Sequence, residues 1–177
     1  QYAGLPVERE QILVTDDGGH TWEAQDSATT ECFGGAYFID RRQGWAVAEW
    51  GTIVHTTDGG RTWEPQETDV DGALLDVFFV DERAGWAVGA GGTVVRTADG
   101  GRSWVEQSTP ATRDLFAVTF TDASRGWIVG DGGIVMRTVD GGETWERAAE
   151  DLGEEWFLGL TFLDEHLGWA ASAQGHI

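Results

Sequence analysis

From Ile12 onward, short runs of apolar residues follow one another, separated by clusters of Gly, Asp and Thr. Runs of that length, rich in Val, Ile, Phe and Trp and bounded by turn residues, are the signature of strands, and no apolar run of useful length keeps a helical period. The pattern predicts two strands at 12–15 and 21–25, then groups of four. The first group is 33–39, 44–48, 52–56 and 62–66; the second is 74–80, 85–89, 93–97 and 103–107. The third is 115–121, 126–130, 134–138 and 144–147, and a last group opens with 157–163 and 168–172. Residues 1–10, with Gly4 and Pro6 among polar neighbours, read as an irregular arm.

The last two strands of each group are joined by one eight-residue stretch, present as Thr15–Trp22, Thr56–Trp63, Thr97–Trp104 and Thr138–Trp145. Each has Asp-Gly-Gly at its centre. The carboxylates of Asp17, Asp58, Asp99 and Asp140 can accept hydrogen bonds from their own turns, and the glycines permit positive φ. Thr and Trp are expected to start the next strand, with the indole covering the turn. The four box tryptophans are each 41 residues apart, and the Gly-Trp landmarks Trp45, Trp86, Trp127 and Trp169 keep nearly that step. A 41-residue period with four short strands predicts an all-β propeller of about four four-stranded blades.

The whole chain, 1–177, then reads as a single domain with repeats near 33–67, 74–107 and 115–147, and a fourth made of 157–177 plus 12–25. Ile177 aligns with Ile12, so the N-terminal strands are expected to complete the last blade and close the ring, removing exposed sheet edges. A piece of a larger propeller and a ring assembled from two chains fit the same pattern. The first strand of each blade is expected nearest the axis: Phe38, Phe79, Phe120 and Phe162 share one position. Gly35, Asp76, Ala117 and Gly159 lie on the opposite face of those strands, with Asp76 the lone charge, read as a water-bridged carboxylate in a central channel.

Charge narrows the function. The net charge is −20, with 31 acids against 11 basic residues. Nucleic acids and anionic membranes demand a basic face, so the balance argues against both and favours a cationic or neutral protein. The single cysteine, Cys32, excludes an internal disulfide, and no stretch reaches the roughly 18 apolar residues that span a bilayer. A start at Gln1 without Met suits a processed, exported protein, and equally a trimmed sequence.

Gly126 to Trp145, and Gly85 to Trp104 with Ser103 for Thr, read Gly-Trp-x-Val-Gly followed by x-Gly-Gly-x-Val-x-Arg-Thr-x-Asp-Gly-Gly-x-Thr-Trp almost throughout. Gly44 to Trp63 departs at Ala48, Glu49, Trp50 and His55. This repeat resembles that of the photosystem II stability/assembly factor-like propellers, built from Asp-box (BNR-type) repeats. The resemblance implies a non-enzymatic, usually seven-bladed protein of the lumen or periplasm that binds reaction-centre polypeptides through arginines. Arg96 and Arg137 match the family's repeat arginine, while His55 and Val14 take that place in the other copies. It therefore implies an accessory or assembly subunit on a membrane-bound photosynthetic or electron-transfer complex, with no cofactor and no insertion into the membrane. A generic recognition propeller for protein or glycan is the alternative.

The Asp-Gly-Gly-x-Thr-Trp clip also resembles the Asp-box of sialidases and xyloglucanases, where it is a peripheral structural turn. A sialidase needs an arginine cluster and a tyrosine nucleophile, yet the only tyrosines are Tyr2 and Tyr37. His20, His55, His166 and His176 show no metal spacing, and Asp16-Asp17 and Asp69-Val70-Asp71-Gly72 lack the regular ligand spacing of a calcium loop. No catalytic, cofactor or metal residues are assigned. Partner binding is assigned instead to what one repeat alone carries. Trp50 and Glu49 replace Gly91-Ala90 and Gly132-Asp131, and Trp156 stands where other repeats have Asp114, Ala73 and Cys32. The loops holding both tryptophans are expected on one face, ringed by Asp69, Asp71, Glu154 and Glu155, with exposed indoles as anchors for a basic partner.

Overall fold

A computed structural model of the chain describes residues 11–149 and 152–173. The arm at 1–10, His176 and the alignment at Ile177 lie outside them. Sixteen strands run in order: β1 (Ile12–Val14), β2 (Glu23–Gln25), β3 (Phe33–Phe38), β4 (Gly44–Ala48), β5 (Ile53–Thr56), β6 (Glu64–Gln66), β7 (Leu74–Phe79) and β8 (Gly85–Gly89). They continue as β9 (Val94–Thr97), β10 (Val105–Glu106), β11 (Leu115–Phe120), β12 (Gly126–Gly130), β13 (Val135–Thr138), β14 (Glu146–Arg147), β15 (Phe157–Phe162) and β16 (Gly168–Ser172). Strands β3–β6, β7–β10 and β11–β14 form three four-stranded antiparallel sheets in chain order, while β1–β2 and β15–β16 are two-stranded. The first strands β3, β7, β11 and β15 touch one another in succession, so the blades are arranged around them. Each of these strands carries a bulge near its start, between residues 33/35, 74/76, 115/117 and 157/159.

One expectation about the boxes is corrected. The fourth strands begin after the box tryptophan, not at the Thr before it, as β6 starting at Glu64 shows. Thr62 donates both its N–H (2.9 Å) and its hydroxyl (2.7 Å) to the Asp58 carboxylate, which keeps it in the turn.

The core is a repeated contact between blades. Trp45 stacks on Phe79 of the next blade with ring centroids 3.5 Å apart, and its Nε1 donates to the Gly100 carbonyl (3.2 Å). Trp86 does the same to Phe120 (3.6 Å) and Gly141 (3.0 Å), and Trp127 stacks on Phe162 (3.7 Å). Phe38, Phe79 and Phe120 also meet their own blade's box tryptophan edge-on, Trp63, Trp104 and Trp145 respectively. A buried indole removes about 200 Å² from water, an upper bound of roughly 5 kcal/mol. Gln25 and Gln66 reinforce the joints, each donating from Nε2 to a carbonyl of the next box, Gly59 (3.0 Å) and Gly100 (3.4 Å).

Closure of the ring by the N-terminal strands is not shown: among the described residues β1–β2 and β15–β16 are separate sheets. Three aromatics toward the two ends are exposed in this structure. Trp22 is 58% exposed and Trp169 47%, against 5% for Trp63 and 0% for Trp45; Phe38 is 41% exposed.

Candidate functional site

Strand order gives the assembly two ends, and they differ in how much polar chemistry is already used. At one end lie the boxes. Asp58 Oδ1 accepts from the Thr62 N–H and the Thr56 hydroxyl (both 2.9 Å), and Thr56 Oγ1 accepts from the Gly60 N–H (2.8 Å). Asp99 and Asp140 repeat these contacts with Ser103 and Thr97, and with Thr144 and Thr138. Hydrogen bonds from the residue four positions on hold the Asp17, Asp58, Asp99 and Asp140 carboxyls at about 2. The boxes also dock on the preceding β-turns, as Gly59 N–H donates to Arg42 O (2.9 Å) and Gly100 N–H to Arg83 O (2.9 Å). These carboxylates are consumed by the fold.

The opposite end carries the loops between second and third strands, together with the connectors between blades. The loop after β4 is bonded to both flanking connectors. Glu49 N–H donates to Cys32 O (3.1 Å), Gly51 N–H to Gly72 O (2.7 Å), and the Thr68 hydroxyl to Gly51 O (2.8 Å). At its tip, Trp50 has φ +57° and is 70% exposed. The equivalent tip residues are Gly91 (φ +66°) and Gly132 (φ +68°). The left-handed region costs an L-residue roughly 1–2 kcal/mol, and a bulky residue there is a true outlier. Strain of this kind persists where surrounding structure enforces it, and it concentrates at working sites. Glu49, Asp69 and Asp71 are exposed beside this tip, and none joins an ion pair among the described residues.

Trp156 lies at the same end. Its carbonyl accepts from Ala173 N–H (2.8 Å), the contact that Cys32, Ala73 and Asp114 make to their own loops. It is 52% exposed, with its ring 6.3 Å from that of Phe116. Beside it Arg113 pairs with Glu154 (2.6 Å) and approaches Asp131 (3.7 Å), and the Glu155 carbonyl accepts from Gly133 N–H (2.8 Å). The two tryptophans therefore share an end but stand in separate clusters, with the blade of β7–β10 between them. Arg113 was not among the sequence candidates. It is unique among the repeats at its position, the same signal that singled out Trp50.

The repeat arginines are elsewhere. Arg96 on β9 is half-buried, 3.9 Å from Glu143, and Arg137 on β13 donates from Nε to Glu146 Oε1 (2.7 Å). His55 fills the same register position, stacked 4.7 Å from Trp45, and burial lowers its pKa. Asp76 Oδ2 accepts from Val118 N–H of the next blade (2.9 Å), and burial raises its pKa. Among the described residues no three His, Cys, Asp or Glu side chains are grouped as a metal site.

Residues 61–152 and 104–171 match the family described as photosynthesis system II assembly factor YCF48, and residues 54–65 match the BNR/Asp-box repeat. No curated protein matches the chain by sequence. Among solved structures, YCF48 from Cyanidioschyzon merolae is 18% identical with TM-score 0.72, covering 93% of this chain and 61% of its own. A structure of YCF48 bound to D1 peptide is 16% identical with TM-score 0.50, covering 94% of this chain and 88% of its own. An ancestral GH74 enzyme is 14% identical with TM-score 0.67, covering 89% of this chain and 25% of its own. At these identities the likeness is one of fold.

Proposed function

The chain belongs to the family of photosynthesis system II assembly factor YCF48, and from that premise we propose that it is a non-catalytic accessory or assembly subunit. It docks on a polypeptide segment of a membrane-bound photosynthetic or electron-transfer complex, on the periplasmic or lumenal side. The observation that carries this reading is the family match across residues 61–171. The D1 peptide named with one related structure makes a reaction-centre polypeptide the first partner to test.

The loop end is the docking surface. Trp50 offers an exposed indole held out by a strained backbone, and Glu49, Asp69 and Asp71 around it join no ion pair among the described residues. An apolar anchor ringed by acids favours a segment that combines an apolar side chain with lysine or arginine. Trp156, Glu154 and Glu155 form a second cluster at the same end, and Arg96 and Arg137 lie outside both, on β9 and β13.

The test is capture of the tagged chain on solubilised photosynthetic membranes, followed by quantitative mass spectrometry. Reaction-centre subunits should be enriched with the parent and lost with Trp50→Ala plus Trp156→Ala. Enrichment that survives the double substitution places docking elsewhere. Absence of any photosynthetic subunit overturns the assembly role. Fractionation of the native cells tests the compartment.

A further inference from the structure

The joints between blades reuse the same parts, and one glutamine breaks the rule. Positions 25, 66 and 107 hold Gln in three successive repeats, 41 residues apart. Gln25 and Gln66 lay their amides across the next box. Nε2 donates to Gly59 O (3.0 Å) or Gly100 O (3.4 Å), and Oε1 accepts from Trp63 Nε1 (3.4 Å) or Trp104 Nε1 (3.2 Å). Gln107 holds its place beside β9, its backbone N–H donating to Val94 O (2.8 Å), but its side chain turns away from the box. Its Nε2 donates to Val105 O instead (3.0 Å). Trp145, only 7% exposed, is left with a buried indole N–H that has no hydrogen-bond partner. A buried donor without an acceptor is costly, and the acceptor missing here is the one that Gln25 and Gln66 supply to their neighbours.

The displaced side chain borders a groove. Gln107 lines it with Gly91, Thr93, Glu106, Ser108 and Thr109, around a space of about 420 Å³. The groove lies at the loop end, because Gly91 is in the loop between the second and third strands of its blade. In the preceding blade Trp50 occupies that tip. At Gly91 an added Cβ would meet nothing within 4 Å, so the entrance is clear. The lining is rich in acceptors. Glu106 is exposed and joins no ion pair among the described residues. With its Nε2 engaged by Val105 O, Gln107 has its Oε1 to offer, and Ser108 adds a hydroxyl. Among the described residues no arginine lines the groove.

We propose that this groove binds an arginine side chain of a polypeptide, the guanidinium donating to the Glu106 carboxylate and to Gln107 Oε1. A guanidinium is planar and carries N–H donors with no acceptor, the complement of this lining. Charge-assisted hydrogen bonds are the strong ones, and they offset the contact that Gln107 forgoes with Trp145. The site stands apart from the proposed assembly role, because a short peptide tests it with no photosynthetic subunit present.

The experiment follows the isotope-labelled full chain by NMR, with acetyl-Gly-Arg-Gly-amide as the probe and its citrulline counterpart as the neutral control. In the free protein, Gln66→Ala should move the Trp104 indole signal, and Gln107→Ala should leave the Trp145 indole signal in place. The arginine peptide should shift the amide signals of Gly91, Thr93 and Ser108 saturably, and Glu106→Gln should weaken that binding about tenfold or more. The citrulline peptide should leave those signals unmoved. A Trp145 signal that moves in Gln107→Ala as the Trp104 signal does in Gln66→Ala overturns the inference, since Gln107 would then sit in the joint. Equal shifts from the two peptides, or arginine binding that Glu106→Gln does not weaken, overturn it too, because the groove would not be reading the charge. So does the absence of any saturable shift with the arginine peptide.

Discussion

Replacing Trp50 with glycine separates strain from recognition. The residue sits at φ +57°, a conformation that costs an L-amino acid roughly 1–2 kcal/mol and glycine nothing. Glycine has a more flexible unfolded chain, which returns roughly 0.5–1 kcal/mol of that gain. Little burial is lost, because the side chain is 70% exposed. Trp50→Gly should therefore stabilise the fold by about 0.5–1 kcal/mol, or roughly 1–4 °C in Tm for a domain of this size. Trp50→Ala removes the indole and keeps the strain, so its stability should stay close to the parent's. The assay is thermal and urea unfolding of the three proteins, with partner capture measured alongside. Both variants should lose partner binding, although only one gains stability. Loss of more than about 1 kcal/mol in Trp50→Gly would refute the reasoning, since the indole would then be a packing residue.

The box end should respond differently. Thr97→Val removes the buried acceptor of the Gly101 N–H (2.8 Å) and should cost about 1–3 kcal/mol in urea unfolding, with partner binding retained wherever the fold is. Acid should also act there. The carboxyls of Asp17, Asp58, Asp99 and Asp140 have folded pKa values near 2, below the ordinary 3.8. Their contribution is present above pH 4 and is lost as pH falls from about 4 towards 2; a flat stability profile over that range would contradict the assignment. Asp76 has the opposite sign, because burial raises its pKa and the folded state holds the proton more tightly. Asp76→Asn keeps an acceptor for Val118 N–H, so it should be more stable than the parent at pH 7 and converge with it near pH 3.

The strands were legible because each landmark recurs in the same role. Tryptophans 41 residues apart locate the turns, and the Phe38, Phe79, Phe120 and Phe162 column locates the inner strands. The strain at Trp50 was half-visible, since Gly91 and Gly132 occupy the same position, but a φ angle is not written in an alignment of repeats. Closure of the ring is not shown, since β1–β2 and β15–β16 are separate sheets among the described residues. The start of the fourth strand was misplaced for a local reason: Thr62 suits a strand by propensity, yet the Asp58 carboxylate claims its N–H and hydroxyl. Arg113 carries the same signal as Trp50, being unique at its position, but its pairing with Glu154 and Asp131 is not written in the repeat.

On the proposed reading the loop end, and not the box end, meets the photosynthetic partner. Site-directed photo-crosslinking tests it most directly, with the probe attached through Asp69→Cys beside Trp50 or through Arg61→Cys in a box, each with Cys32→Ser. On solubilised photosynthetic membranes, the probe at 69 should link to a reaction-centre polypeptide and the probe at 61 should not. Links from 61 with none from 69 would contradict the account.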